Sequence, residues 1–371
     1  MKNHIIFLKD NKKYFCSEDY NYIFNLENGE FVRFGKNEDD DPTYSEFGPE
    51  LLDIEISTMC SGIPQGKGKT EPIPCKHCYK SNTKIGSNMS FDTFQKIFSV
   101  IPKTVCQIAF GIGDIDSNSD FFKMMEFCRE NKVIPNYTTN GFKVTDEISE
   151  RTVRTCGAVA VSSYVQNKDI CYDAVQKFSD VNKKLNGKLQ INIHCLLSKE
   201  TLNFCYEVAR DSKSDKRLEN LNAIVFLQLK ECGRGKSYKQ ISAQEYSTFL
   251  DFLLENEIRF GHDSCSYPNL IFFSKDSMKE NIRLVAEGCE SSRFSLYINV
   301  EGKAFPCSFA ESKYNGTSVV DCKSFIDDVW NNTEISSFRE SLINSTKICK
   351  CEEKNKTCMK CPIYDVALCC L

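Results

Sequence analysis

The placement of cysteine constrains this chain more than any other feature. Cys60, Cys75 and Cys78 follow an apolar stretch, LLDIEIST, in a CX14CX2C arrangement. The last 23 residues hold Cys349, Cys351, Cys358, Cys361, Cys369 and Cys370, and upstream of them runs Cys289–X12–Gly302–X4–Cys307. Closely spaced thiolates at two separate places suit soft metals and iron–sulfur clusters. A C-terminal group with so little apolar periodicity must also draw stability from what it binds.

Composition narrows the alternatives. The N-terminus, MKNHIIFLKDNKKYF, lacks the apolar segment and cleavage site of a secretory signal, and no apolar run approaches the length of a bilayer span. The expectation is a cytoplasmic protein with no membrane partner. In that compartment 21 cysteines favour metal over a disulfide scaffold, and spacing alone leaves zinc and iron–sulfur both open. A formal charge of −4 and a pI near 5.8 exclude a general nucleic-acid binder, which needs a basic surface. Cys106, Cys128, Cys156, Cys171, Cys195 and Cys205 fall inside apolar patterns and read as small buried hydrophobes.

Three regions follow from the patterning. Residues 1–50 carry short aromatic and β-branched stretches (HIIFL, KKYFC, YNYIFNL, EFVRFG) broken by Asp-Asn and Asn-Gly, the pattern of a β-meander. Such an element serves as a lid over the barrel or seats an extended peptide by strand addition. Residues 51–262 alternate six apolar strands (LLDIEIST, VCQIAFGI, VIPNYTTN, AVAVSSY, LQINIHCLLS, AIVFLQLK) with amphipathic helices. Ser90 is the expected N-cap of the first helix, and Phe121, Met124, Met125 and Cys128 form one face of the second. Six βα units imply an α/β fold with a parallel sheet, open or curled into a partial (β/α)6 TIM-type barrel. Residues 263–371 lose the βα rhythm, show a hairpin at Glu301-Gly302, and end in the cysteine-rich segment.

In parallel sheets functional residues gather at the C-terminal strand ends. Cys60 follows the first strand, Gly111-Ile112-Gly113-Asp114 the second, Thr138-Thr139-Asn140-Gly141 the third and Ser162-Ser163 the fourth. These elements therefore share one rim.

Those residues carry a resemblance to radical S-adenosylmethionine (SAM) enzymes with a C-terminal auxiliary-cluster domain of the SPASM or twitch type, over residues 51–370. The family places three cysteines after its first barrel strand, most often as CX3CX2C. Here the CX2C half is kept and the first gap contains the insertion SGIPQGKGKTEPIP, a loop-forming composition. His77 stands at the family's aromatic position. GIGDIDSNSDF, from Gly111 to Phe121, resembles the family's GGGEPTLHPDF, with Asp114 in place of the Glu. TTNG at 138–141 resembles the third-strand ending, Ser162 a serine facing the SAM ribose, and Arg234 an arginine at the sixth strand end.

The resemblance implies a 4Fe–4S cluster on Cys60, Cys75 and Cys78 with one iron open to SAM. It implies SAM contacts from Gly111, Gly113, Asp114, Thr139, Asn140, Ser162 and Arg234. It also implies one or two auxiliary 4Fe–4S clusters on Cys289, Cys307, Cys349, Cys351, Cys358, Cys361, Cys369 and Cys370. Cys265 is either a further ligand or a buried thiol. The activity implied is reductive SAM cleavage to a 5′-deoxyadenosyl radical, with flavodoxin or ferredoxin as electron donor. The substrate implied is a peptide or protein that is crosslinked, epimerised or oxidised. Oxidation or rearrangement of a small molecule is the second reading, and Lys67 and Lys69 then meet an anionic substrate or form a solvated basic loop. A zinc or iron–sulfur binding module without catalysis is the third; it has no use for Asp114 or Ser162.

Overall fold

The structure, a computed structural model, describes residues 3–37, 40–64, 71–275, 277–278, 281–282, 286–345 and 360–368. The N-terminal meander forms as four antiparallel strands in sequential order: β1 (Ile5–Lys9), β2 (Lys12–Cys16), β3 (Asn21–Asn25) and β4 (Phe31–Phe34). Asp10 and Asn11 take left-handed backbone angles at the first turn, as a two-residue hairpin loop requires.

The six expected parallel strands are all present. They are β5 (Leu51–Glu55), β8 (Gln107–Gly111), β9 (Ile134–Thr139), β10 (Ala158–Ser163), β11 (Gln190–Leu197) and β12 (Ala223–Gln228). Helices α1 (Phe91–Val100), α2 (Phe121–Glu130), α3 (Asp146–Thr155), α4 (Lys168–Lys184), α5 (Leu202–Ser214) and α6 (Ala243–Glu255) intervene. The Ser90 hydroxyl accepts the Thr93 N–H at 3.1 Å, the expected cap of α1.

Alternation along each strand decides what faces what. Leu52 and Ile54 of β5, Ile108 and Phe110 of β8, and Ile193 and Cys195 of β11 join the helices in one apolar core. Asp53, Glu55, Ser162 and His194 therefore point to the other face. The six single cysteines within apolar patterns are buried, as their surroundings require.

The sheet is larger than six strands. Between β5 and α1 lie two short strands, β6 (Ile63–Pro64) and β7 (Pro72–Ile73), which pair only with each other. A seventh parallel strand, β13 (Phe260–His262), joins β12, and α7 (Tyr267–Phe273) follows. At the opposite edge β14 (Ser295–Ile298) pairs parallel with β5, then β15 (Lys303–Phe305) and β16 (Thr317–Ser318) add antiparallel. The order among the described residues is β13-β12-β11-β10-β9-β8-β5-β14-β15-β16. Gly302 forms the expected β14–β15 turn at φ +77°, and α8 (Thr333–Asn344) closes the described C-terminal part.

The N-terminal sheet sits at the strand starts, not over the rim. Tyr22 Oη donates to Thr104 O (2.8 Å) and Lys13 Nζ to Val105 O (2.7 Å), both just before β8. Phe15, Tyr20, Tyr22 and Phe24 share a second core with Cys106, Ile134 and Phe294. Residues 1–50 thus cap the end of the sheet away from Cys60.

Candidate active site

A hairpin closes the long gap between Cys60 and Cys75. β6 and β7 pair antiparallel, Ile63 opposite Ile73 and Pro64 opposite Pro72. The described ends of the insertion therefore pair with each other as antiparallel strands. Gly62 makes the return possible: its φ is +93°, and a Cβ there would lie 2.0 Å from Ile73 O. No other residue fits that approach. Gly62→Ala is expected to push Cys75 away from Cys60 and lower iron incorporation by about the four irons of one cluster. Iron per chain after anaerobic reconstitution, with circular dichroism to verify folding, checks this.

The three thiols lie near enough for each to affect another's ionisation. Burial, then the neighbouring Cys60 and Cys78, push the Cys75 thiol up to about 12. Cys60 is pushed up to about 11 by burial, with Asp114 and Cys78 adding to it. A cation bound by such thiols favours their ionised form. The thiols do not close on one point: among the described residues no group of three or more His, Cys, Asp or Glu side chains is arranged to hold a single ion. A cluster takes each thiolate on a separate iron.

Asp114 lies against this set, 8% exposed. One carboxylate oxygen accepts the Ser61 N–H at 2.8 Å, and the other, Oδ1, is buried with no protein partner. A buried carboxylate oxygen without a donor is costly and marks a place for a cationic or N–H group. Gly113 lets the chain at Met59 and Cys60 approach closely, since a Cβ there would lie 2.3 Å from Met59 O and 2.5 Å from Cys60 Cβ. These residues fit a SAM ammonium beside a three-cysteine cluster.

The other expected SAM residues are engaged as follows. The Thr139 hydroxyl accepts the Gly141 N–H (3.2 Å), and the Asn140 amide donates to Gly62 O (3.1 Å) while its Oδ1 accepts the Phe142 N–H (2.9 Å). Ser162 faces the inner side with its backbone carbonyl held by Asn167 Nδ2 at 3.0 Å. Gly111 packs directly on Glu55, where a Cβ would meet Glu55 Cα at 3.2 Å. Arg234 Nε donates to Cys75 O (2.8 Å) and Nη2 to Asn82 O (3.0 Å), and its N–H reaches Cys78 O at 3.0 Å. Its guanidinium therefore clamps the cysteine loop. Asn140 and Arg234 hold that loop from two sides.

His77 fills its position as an aromatic ring, 4.1 Å from the Tyr164 ring centroid. Burial and then Arg234 lower it to about 4, so the imidazole is neutral near pH 7. The inner face beside the loop bears Asp53, raised by burial to about 6. Glu55 there accepts from Tyr297 Oη (2.9 Å) and pairs with Lys80 Nζ (3.2 Å). Lys80, two residues past Cys78, also donates to Tyr297 Oη (2.6 Å) and pairs with Glu311. The first cysteine loop is thereby tied to the C-terminal region.

Further thiols neighbour one another there, among them Cys265, which the sequence left open as a ligand or a buried thiol. Cys265, in the turn Ser264–Ser266 after β13, has its thiol pushed up first by the neighbouring Cys289 and then by burial. Cys307 feels the charge of both Cys265 and Cys361. Cys265, Cys289, Cys307 and Cys361 thus lie near enough to influence one another, while no three of them are arranged to hold a single ion. The signal for Cys265 was its position just past a strand end, which was invisible while β13 went unrecognised. Cys349, Cys351, Cys358, Cys369, Cys370, Lys67 and Lys69 lie outside the described residues.

No protein-family model matches the sequence, and no curated protein matches it significantly. Solved structures do match in fold. The crystal structure of Streptococcus suis SuiB bound to precursor peptide SuiA superposes with a TM-score of 0.69 at 14% identity, covering 99% of this chain and 100% of that one. SuiB bound to S-adenosylmethionine gives 0.64 at 12% identity over 90% of each chain. Native anSMEcpe with bound AdoMet and Cp18Cys peptide gives 0.59 at 14% identity, over 86% of this chain and 94% of that one. The likeness establishes a shared fold along nearly the whole chain. No helix among the described residues is long and apolar enough to cross a membrane.

Proposed function

We propose that this chain is a radical SAM enzyme that modifies a peptide. The observation that carries the reading is the hairpin that brings Cys60, Cys75 and Cys78 together beside the free Oδ1 of Asp114. Support comes from SuiB and anSMEcpe, which share the fold and were solved with SAM and with peptides. In this reading the three thiols hold a 4Fe–4S cluster, which when bound supplies the electron for reductive cleavage of SAM.

The chain's own residues do the rest. Asp114 Oδ1 takes the SAM ammonium, with Gly111 and Gly113 letting the chain pack closely on Glu55, Met59 and Cys60 beside it. Arg234 and Asn140 fix the loop that carries the thiols. Ser162 lies along the inner face toward the SAM ribose, and the face bearing Asp53, Glu55 and Tyr297 walls the substrate. Enclosure matters because a primary carbon radical attacks whatever it meets. Cys265, Cys289, Cys307 and Cys361 hold an auxiliary cluster. The sheet works as a partial barrel with the N-terminal cap at its base, and the exposed β1 edge offers an extended leader a strand to pair with.

The test is anaerobic reconstitution, reduction, and measurement of 5′-deoxyadenosine formed from SAM. Brown protein that yields none overturns the reading. Asp114→Ala is expected to weaken SAM binding ten- to a hundredfold, or about 1.5–3 kcal/mol for a lost charge-assisted hydrogen bond. Calorimetric titration with SAM reads it, and unchanged affinity removes Asp114 from the site.

A further inference from the structure

Ile5, Phe7 and Leu8 of β1 are 65%, 42% and 54% exposed, and β1 is an edge strand whose outer side has no partner among the described residues. It holds no Pro, and its only charge is Lys9, the last residue, so the edge is weakly protected. At the Lys9 end a groove of about 520 Å³ opens between the β1–β2 turn, Leu26 after β3 and the C-terminal end of α2. Leu8, Leu26 and Ile134 give it apolar lining. Lys9, Arg129 and Lys132 line it as well, against the acids Asp10 and Glu27. Arg129 is the decisive group. It is half-buried, its Nη1 donates to Leu26 O at 2.9 Å, and it forms no ion pair among the described residues. A guanidinium drawn out of water normally has a carboxylate on it. With Nη1 held by Leu26, the Nε and Nη2 side keeps two parallel N–H donors, the fork that a carboxylate takes bidentately.

We propose that this groove and the β1 edge beside it receive an extended acidic peptide segment, with an aliphatic side chain against Leu8, Leu26 and Ile134 and a carboxylate on Arg129. The inference rests on the reading of the chain as a peptide-modifying enzyme whose leader pairs with β1, and it deepens that reading by giving the leader's chemistry. Register supplies the spacing. Leu8 lies opposite Lys13 in a row that continues through Phe24 and Phe31, whereas Phe7 heads the neighbouring row of Tyr14, Ile23 and Val32 on the other face. A strand added to β1 alternates between those faces, so the two side chains on the Leu8 face stand two residues apart, aliphatic and acidic with one residue between. Lys9 and Lys132 favour an acid at that place and disfavour a base. A second copy of this chain is a poorer occupant. Pairing β1 with itself would join strands of only five residues, well short of a stable interface, and would bring no carboxylate to Arg129.

The experiment follows the fluorescence anisotropy of labelled Thr-Leu-Thr-Glu-Thr-Leu-Thr, and of the same peptide with Lys for Glu, as the full chain is added. The sequence offers the spacing in either strand direction. The Glu peptide should bind more tightly than the Lys peptide by about tenfold or more. Arg129→Met should remove that preference, and Leu8→Asp should weaken the Glu peptide by a similar factor. Either loss could come from a disturbed fold, so Arg129→Glu supplies a gain. It should reverse the preference in favour of the Lys peptide, which damage to the fold cannot do. Equal binding of the two peptides by the parent, or an Arg129→Glu variant that keeps the parent's preference, overturns the carboxylate site and leaves strand addition at β1 standing. Binding of neither peptide at millimolar concentration overturns the docking surface as a whole. So does a dimer in sedimentation that Phe7→Lys dissociates and the Glu peptide does not. The enzyme reading is judged apart from this, by 5′-deoxyadenosine formed from SAM, so the two failures are distinguishable.

Discussion

Replacing Cys60, Cys75 and Cys78 together by Ala is expected to abolish SAM cleavage and leave iron bound at the C-terminal thiols. The first set is built by local devices of its own: the β6–β7 hairpin, Gly62, and the Arg234 contacts to Cys75 O and Asn82 O. The second set draws on the turn after β13, the segment before β14, and the loop after β15. No cysteine is shared between them. Iron should fall by about four per chain, the content of one cluster, with the remainder still chromophoric. A folded triple variant devoid of iron would show that the two sets are not independent. The Lys80 link to Tyr297 and Glu311 makes that outcome worth measuring, because it joins the two sites through a few side chains.

Arg33→Met is expected to cost about 3–5 kcal/mol of stability, the usual effect of stranding buried acids without their partner. The Arg33 side chain, 2% exposed, lies 2.7 Å from Glu50 and 3.9 Å from Glu290, and it also pairs with Glu287. It thus connects β4, the residue just before β5, and the segment leading to Cys289. Burial pushes Glu50 up to about 7, with Arg33 and Tyr20 pulling it back. A carboxyl raised above its unfolded value keeps a proton that the unfolded chain releases. Its stabilising contribution is therefore full below the ordinary carboxylate range and is lost as pH rises through about 7. Without Arg33 that fall should steepen. Denaturant unfolding of both proteins at about pH 5.5 and about pH 8 should show the larger loss at the higher pH. Equal losses would remove Glu50 from the account.

Much of the architecture was legible because its signals are local. Two-residue alternation in LQINIHCLLS or AIVFLQLK writes a strand and its buried face into adjacent positions. The Ser90 cap and the apolar face of α2 lie within one or two helical turns. Order along the chain then placed Cys60, Asp114, Asn140 and Ser162 at one rim, since parallel strands all end on the same side. β13 escaped because three residues with a central glycine, Phe260–His262, carry too little pattern to read as a strand.

The sequence by itself determined which thiols stand near which strand ends, and that a carboxylate stands with the first group. Only the tertiary structure decided that Ile63 pairs with Ile73 across the CX14CX2C gap, that Cys265 lies beside Cys289, and that β14 pairs with β5 across more than two hundred residues. It also decided that residues 1–50 cap the strand starts. It likewise buried Lys230 and paired it with Asp263. The reason is physical. Periodicity, capping and turn chemistry act between neighbours and leave a trace in consecutive residues, whereas these pairings depend on shape and charge matching between segments far apart in sequence. A residue such as Lys230 looks like any other lysine until the fold removes water from around it.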